Sequence, residues 1–272
     1  MSDPESTDRP RLAVVGLGNM GSAVLEGALR SGVLEATDVL VCDVADERLE
    51  RFTDQGCRPV RLEEVGVASR ILMAVKPQMF PEVAPALEGL EDVAVITLMA
   101  GISTDRIEEM LGGSTRVVRT MPNTPALVNA GTTAICVNKS ATASDFEFAY
   151  RLFNSVGVVV EVAESNMHAV TATSGSGPAW LFRMAEAWIT AAESEGLSKD
   201  VAKRLVEETL IGSARLIEES GKDVADLRRS VTSKGGTTAA GLDALDRLGF
   251  DDAISGAIDA ATRRGEELEK GE

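Results

Sequence analysis

Short apolar runs recur through the first part of the chain, separated by stretches in which apolar positions return every three or four residues. The runs predict strands at 12–15, 39–42, 70–75, 93–98, 117–120, 132–137 and 156–162. The three-to-four spacing predicts helices at 20–31, 46–55, 103–111 and 143–154. Near-continuous apolar strands that alternate with helices imply a mostly parallel sheet covered on both faces. Right-handed crossovers then give a doubly wound α/β domain. After residue 162 the strands stop, and helices are predicted at 164–174, 178–195, 199–219, 224–230, 238–248 and 251–270. In the last of these, Ala253, Ile254, Ala257, Ile258 and Ala261 share one face. The boundary falls near residue 163, with an α/β part at 11–163 and a helical part at 164–272.

The first strand runs into Gly16-Leu17-Gly18-Asn19-Met20-Gly21. A lone G-x-G-x-x-G says little, but this one follows a strand, opens a helix and heads a βαβ unit. Gly16 serves the tight turn, Gly18 lets a pyrophosphate approach the backbone, and Gly21 lets helix and strand pack closely. The helix N-terminus adds free N–H groups and the positive end of its dipole. Dinucleotide binding is the chemistry this predicts, against a purely structural glycine turn. Asp43 ends the second strand, where an acid hydrogen-bonds the adenosine ribose and repels a 2′-phosphate. Read alone it leans to NADH; the alternative is an exposed strand-end Asp.

Two further loops leave strands near the expected ligand crevice. Ala74-Val75-Lys76-Pro77-Gln78 is kept extended by its proline, and Lys76 offers charge to the phosphates. In Arg119-Thr120-Met121-Pro122-Asn123-Thr124-Pro125, two prolines stiffen a turn that presents Asn123, expected near the nicotinamide. The helical part has two glycine clusters. Ser174-Gly175-Ser176-Gly177-Pro178 leads into a helix. Ser233-Lys234-Gly235-Gly236-Thr237-Thr238 is a candidate anion nest for a small carboxylate, or else an ordinary capped connection.

Composition narrows the chemistry. The formal net charge is −16, which disfavours nucleic acid and anionic membrane surfaces. Seven lysines stand against twenty arginines, and acid excess with so little lysine is expected of a surface adapted to a salt-rich cytoplasm, the alternative being ordinary acidic solubility. His168 is the only histidine, so a histidine triad or multi-histidine metal site is not expected. Cys42, Cys57 and Cys136 have neither zinc-site nor disulfide spacing. No apolar run reaches membrane-spanning length, and residues 1–10 are read as a disordered leader without the features of a secretory signal. A cytoplasmic location is expected.

Taken together, residues 16–21, Ala74-Val75-Lys76-Pro77-Gln78, 121–125, 174–178 and the block V-T-S-K-G-G-T-T-A-A-G-L at 231–242 resemble the pyrroline-5-carboxylate reductase family. The resemblance implies a Rossmann domain followed by an all-α dimerisation domain, and homodimers that in some members build larger rings. It implies hydride transfer from NADPH or NADH to the imine of 1-pyrroline-5-carboxylate, giving L-proline, without a metal. Together with the residue readings above, it gives coenzyme-binding candidates at Gly16, Leu17, Gly18, Asn19, Met20, Gly21, Ala74, Val75, Lys76, Pro77 and Asn123, with Asp43 added from its strand-end position alone. It assigns substrate binding to Ser233, Gly235, Gly236, Thr237 and Thr238, with Thr238 catalytic through its hydroxyl on the ring nitrogen. The family favours NADPH, against the charge of Asp43. A β-hydroxyacid dehydrogenase is the nearest rival, but Pro178-Ala179-Trp180 stands where its lysine is expected. A non-catalytic NAD(P)-binding regulator is the alternative from another class.

Overall fold

The computed structural model describes residues 9–270. The leader expected at 1–10 thus lies outside the described residues except for Arg9 and Pro10. Arg9 donates to the carbonyls of Val67 and Gly66 at 2.9 and 3.0 Å, and the Pro10 carbonyl accepts from Ser69.

Eight strands form one sheet: β1 (Leu12–Val15), β2 (Val39–Cys42), β3 (Arg58–Pro59), β4 (Arg70–Met73), β5 (Ala94–Thr97), β6 (Arg116–Met121), β7 (Gly131–Val137) and β8 (Gly157–Glu161). Their spatial order is β3-β2-β1-β4-β5-β6-β7-β8. Neighbours are parallel except β6 and β7, which pair antiparallel. The link between those two, residues 122–130, is too short to carry a crossover helix. The strand order reverses between β1 and β4, the place where open α/β sheets hold ligands.

Every residue of β1 is buried because its two faces look into two different cores. Leu12 and Val14 pack with Val24, Leu25, Phe52 and Phe153 on one side. Ala13 and Val15 pack with Ile71, Met73, Phe80 and Ile107 on the other. That is why the strand reads as continuously apolar rather than alternating. The covering helices are α1 (Asn19–Arg30), α2 (Asp46–Thr53), α3 (Phe80–Val83), α4 (Thr104–Leu111) and α5 (Ala143–Asn154). Between β4 and β5 the chain makes 3-10 turns on either side of α3, at Pro77–Met79 and Ala84–Leu87. Prolines 77, 81 and 85 divide this stretch and hide it from a periodicity reading.

The helix expected at 164–174 is instead a 3-10 turn, a single α-turn α6 (Met167–Val170) and a π-turn (Thr171–Gly175). Four longer helices and one short one follow: α7 (Gly177–Ser194), α8 (Lys199–Ser220), α9 (Val224–Ser230), α10 (Thr237–Arg247) and α11 (Phe250–Lys270). By compactness the chain divides into residues 1–176 with 261–272, and residues 177–260. In the second unit α7 packs on α8, and only Ala202 and Val206 are fully buried.

In the first unit the last turns of α11 are fixed by charge and close packing. Buried Arg119 on β6 reaches Glu164 at 2.9 Å and Glu269 at 3.3 Å, and His168 Nε2 lies 2.9 Å from Glu269. A Cβ on Gly265 would stand 2.9 Å from His168 Nδ1, so the helix comes close only because that residue is glycine. Glu164 also accepts from the Thr104 amide at 2.8 Å and its hydroxyl at 2.6 Å, at the start of α4. Burial pushes the Glu164 carboxyl up, but the Thr104 and Arg119 bonds outweigh it and hold it below the usual range. Burial raises all three thiols, and Cys136 is pushed to about 12 with help from the Glu164 charge and against the pull of Arg119.

A lowered folded-state value means Glu164 stabilises the protein above the unfolded carboxyl value, about 4.3, and less below it. Glu164→Gln is therefore expected to cost about 1–3 kcal/mol at pH 7 by urea denaturation. The gap from wild type should narrow as pH falls through 4 towards the lowered folded-state value. A gap independent of pH would show that the charge of Glu164 does not matter.

Candidate functional site

The chain turns sharply after β1 because Gly16 adopts φ +99°, a conformation L side chains rarely take. A Cβ on Gly16 would also stand 2.7 Å from the Ala74 carbonyl oxygen, so the turn lies directly against the loop after β4. A Cβ on Gly21 would stand 2.1 Å from the Gly16 carbonyl oxygen and 2.9 Å from the Ala74 side chain. The expected residues Gly16, Gly21 and Ala74 thus meet at the β1–β4 switch point. Gly18 differs: it caps α1 in extended geometry, and nothing lies within 4 Å of where its Cβ would be. No side chain caps the helix. A cradle that a Cβ would fill, beside uncapped amides and a positive dipole end, fits a pyrophosphate. The residues present therefore fit a nicotinamide dinucleotide.

Around this turn the neighbours hold it in shape. Ser22 Oγ donates to the Leu17 carbonyl at 2.8 Å. Asp43 sits where expected, at the end of β2, but its carboxylate is turned into the loop. Oδ2 accepts from the Leu17 amide at 2.6 Å and Oδ1 from the Ala45 amide at 2.9 Å, and the side chain is only 4% exposed. Arg48 lies 3.5 Å from the same carboxylate. Beside the loop, a cleft of about 330 Å³ is lined by Gly18, Asn19 and Ser22 and by Arg30, Arg48 and Arg51 among others. Arg51 pairs with Glu26 there. Sequence reasoning passed over Ser22; Val44 is fully exposed between Asp43 and Ala45.

Lys76 is exposed and precedes the 3-10 turn opened by Pro77. Val75 packs against the second core. Met20, in the first turn of α1, packs against the first core. Asn123 is nearly buried, and both ends of its amide are used within the protein: Oδ1 accepts from the Thr132 amide at 2.8 Å and Nδ2 donates to the Ser174 carbonyl at 3.1 Å.

The second cluster of expected residues lies in the second unit. Gly235 has φ +72°, and the Gly236 amide closes the turn onto the Ser233 carbonyl at 3.1 Å. A Cβ on Gly236 would stand 2.5 Å from Ser233 Oγ, so that hydroxyl sits directly over the turn. Gly236 caps α10 without a side-chain bond, and Thr237 and Thr238 form its exposed first turn. Among the described residues, no group of three or more His, Cys, Asp or Glu side chains is arranged to hold a metal, and no helix is long and apolar enough to cross a membrane.

Comparison with known proteins places this geometry. A pyrroline-5-carboxylate reductase from Synechocystis is 37% identical over 264 residues, covering 96% of this chain and 98% of the relative. The chain belongs to the pyrroline-5-carboxylate reductase family. A Thermus thermophilus member is 39% identical, covering 96% of this chain and all of its own length. The family model for pyrroline-5-carboxylate reductase dimerisation matches residues 164–268, and one described as NADP oxidoreductase coenzyme F420-dependent matches 11–101. Among solved family structures, the Coxiella burnetii enzyme superposes with a TM-score of 0.88 at 32% identity, covering 96% of this chain and 99% of that one. The Plasmodium falciparum enzyme, solved with NADP bound, gives 0.84 at 29%, covering 97% and 100%.

The two inner glycines predict opposite behaviour on substitution. Gly18→Ala meets no obstruction and is expected to melt like wild type, yet to weaken coenzyme binding about tenfold or more by filling the pyrophosphate seat. Gly21→Ala should lose stability itself, by about 1–3 kcal/mol, through overpacking. Thermal melts and coenzyme titration of both variants check the pair; a Gly18→Ala that binds normally rules out that seat.

Proposed function

We propose that this chain reduces 1-pyrroline-5-carboxylate to L-proline with a nicotinamide coenzyme, in the cytoplasm, as the last step of proline biosynthesis. The observation that carries the reading is the open, uncapped N-terminus of α1 beside Gly18, in a chain that matches its family along nearly its whole length. The domain assignment that goes with it makes 11–163 the dinucleotide domain and 164–272 the dimerisation and substrate domain.

The reaction adds a hydride to the imine carbon and one proton to the nitrogen, so the C=N bond becomes a C–N single bond. When bound, the reduced nicotinamide supplies the hydride. In this reading Gly16, Leu17, Gly18, Asn19, Met20 and Gly21 seat the pyrophosphate, with Ala74, Val75, Lys76 and Pro77 beside it. Ser233, Gly235, Gly236 and Thr237 grip the substrate carboxylate at the start of α10, where the helix dipole favours an anion. Thr238 holds the ring nitrogen through its hydroxyl. An imine protonates readily, so these groups need only bind and orient it; the work asked of the protein is placement.

NADPH is the proposed coenzyme. Asp43 spends its charge on two amides and Arg48, which weakens the argument against a 2′-phosphate. Arg48 and Arg51 line the cleft beside the glycine turn and are the cations offered to that phosphate. The assembly in this reading is a homodimer, or a larger ring of dimers. Large apolar side chains of the second unit, Phe182, Leu205 and Leu248 among them, stand exposed at 62%, 54% and 85% and would leave water in the dimer.

An absorbance assay with 1-pyrroline-5-carboxylate and each coenzyme tests the reading; no turnover with either rejects it. Thr238→Ala is expected to lower kcat/KM severalfold to about a hundredfold, the loss of about 1–3 kcal/mol from one hydrogen bond to a charged group. Replacing Arg48 and Arg51 together by Ala should lower kcat/KM for NADPH by about tenfold or more while leaving NADH within about twofold. Equal losses with the two coenzymes would mean these arginines do not meet a 2′-phosphate.

A further inference from the structure

The segment Ser174-Gly175-Ser176-Gly177-Pro178 takes no part in the function so far described. Its first residues end the π-turn Thr171–Gly175, closed by the Ser176 amide donating to the Thr171 carbonyl at 2.8 Å. Single π-turns inside helical stretches are frequent at functional sites. This one leaves the Ser174 carbonyl short of a donor. In an uninterrupted α-helix it would take the amide four positions on. That residue is Pro178, which has no N–H.

Asn123 supplies the missing donor. Its Nδ2 reaches the Ser174 carbonyl at 3.1 Å, while its Oδ1 accepts from the Thr132 amide at 2.8 Å at the start of β7. An N–H donor on one end and a carbonyl on the other fix which way the amide points. The side chain is 9% exposed, so water competes poorly for either bond. A second contact lies beside it: a Cβ on Gly175 would stand 2.7 Å from Met121 Cε, so the last side chain of β6, just before the loop, packs on the π-turn.

We propose that Asn123 is a positioning residue, which holds the loop after β6 against the π-turn that precedes α7, in place of the coenzyme contact expected from the sequence. Pro178 makes the link necessary by withholding the local donor. The inference rests on the reductase reading, in which the 121–125 loop lies beside the reacting ring. Loss of the link lets that loop drift and so acts on kcat, since placement errors of an ångström are costly to rate.

Asn123→Asp tests it, because the carboxylate still accepts from Thr132 but cannot donate to Ser174. The expected result is a fall in kcat of about tenfold with KM for the coenzyme within about twofold. Amide hydrogen exchange at 171–176 should speed up while β1, β4 and β5 keep their protection. Asn123→Ser, shorter and uncharged, should give the same pattern. Adding Pro178→Ala returns an N–H to the Ser174 carbonyl, so it should recover the melting midpoint but not kcat. Unchanged exchange at 171–176, recovery of kcat by Pro178→Ala, or a rise in KM with kcat intact would each overturn the proposal. A wild-type enzyme without imine reduction would remove the reductase reading instead, and the exchange and melting data would still decide the link.

Discussion

Three pieces of backbone meet at the head of β1 with no room for a side chain between them. The Gly16 turn lies against the Ala74 carbonyl, and Gly21 lies against the Gly16 carbonyl, at separations no Cβ would survive. This contact sets the angle at which α1 leaves the sheet and brings the loop after β4 alongside. The contact lies at the strand-order reversal between β1 and β4. Asp43 and Ser22 then brace the turn through Leu17, one through its amide and one through its carbonyl. Beside this crowding, the place where a Gly18 Cβ would stand is open.

Much of this was legible in the sequence, for definable reasons. The first strand and its turn could be read because an apolar run, a glycine triplet and a helical pattern coincide within one βαβ unit. The stretch at 77–87 could not, since its prolines break every helical period into turns of three or four residues. The two-residue β3 carries too few positions to show any period. The π-turn was hidden because one inserted residue shifts the phase without altering the polarity of the pattern. Asp43 stands at the strand end the spacing predicts, with its carboxylate on the Leu17 and Ala45 amides. Spacing locates a carboxylate at a strand end, but whether it faces a ribose or the Leu17 amide depends on a side-chain torsion. Asn123 is a similar case, placed on the loop expected but turned towards Thr132 and Ser174.

The two compact units solve the burial problem differently. In the first, each strand of the sheet's centre is covered on both sides by its own chain, and the edge is blunted by the short β3. In the second, helical stripes that promise a core find little of one within the chain, because only Ala202 and Val206 are fully buried between 177 and 260. Helices with broad apolar faces and so little internal cover are stable when something else covers them. In the proposed dimer a second copy would supply that cover.

The state of the three thiols has a practical side. Cys57 and Cys136 are buried and Cys42 is half-buried, and burial raises all three, so little thiolate exists near neutrality. Alkylating and maleimide reagents, which attack the thiolate, should react with these thiols more slowly than with an exposed cysteine of ordinary pKa. A single cysteine engineered onto an exposed helix position would therefore accept a fluorophore or spin probe ahead of the natural sulfur atoms.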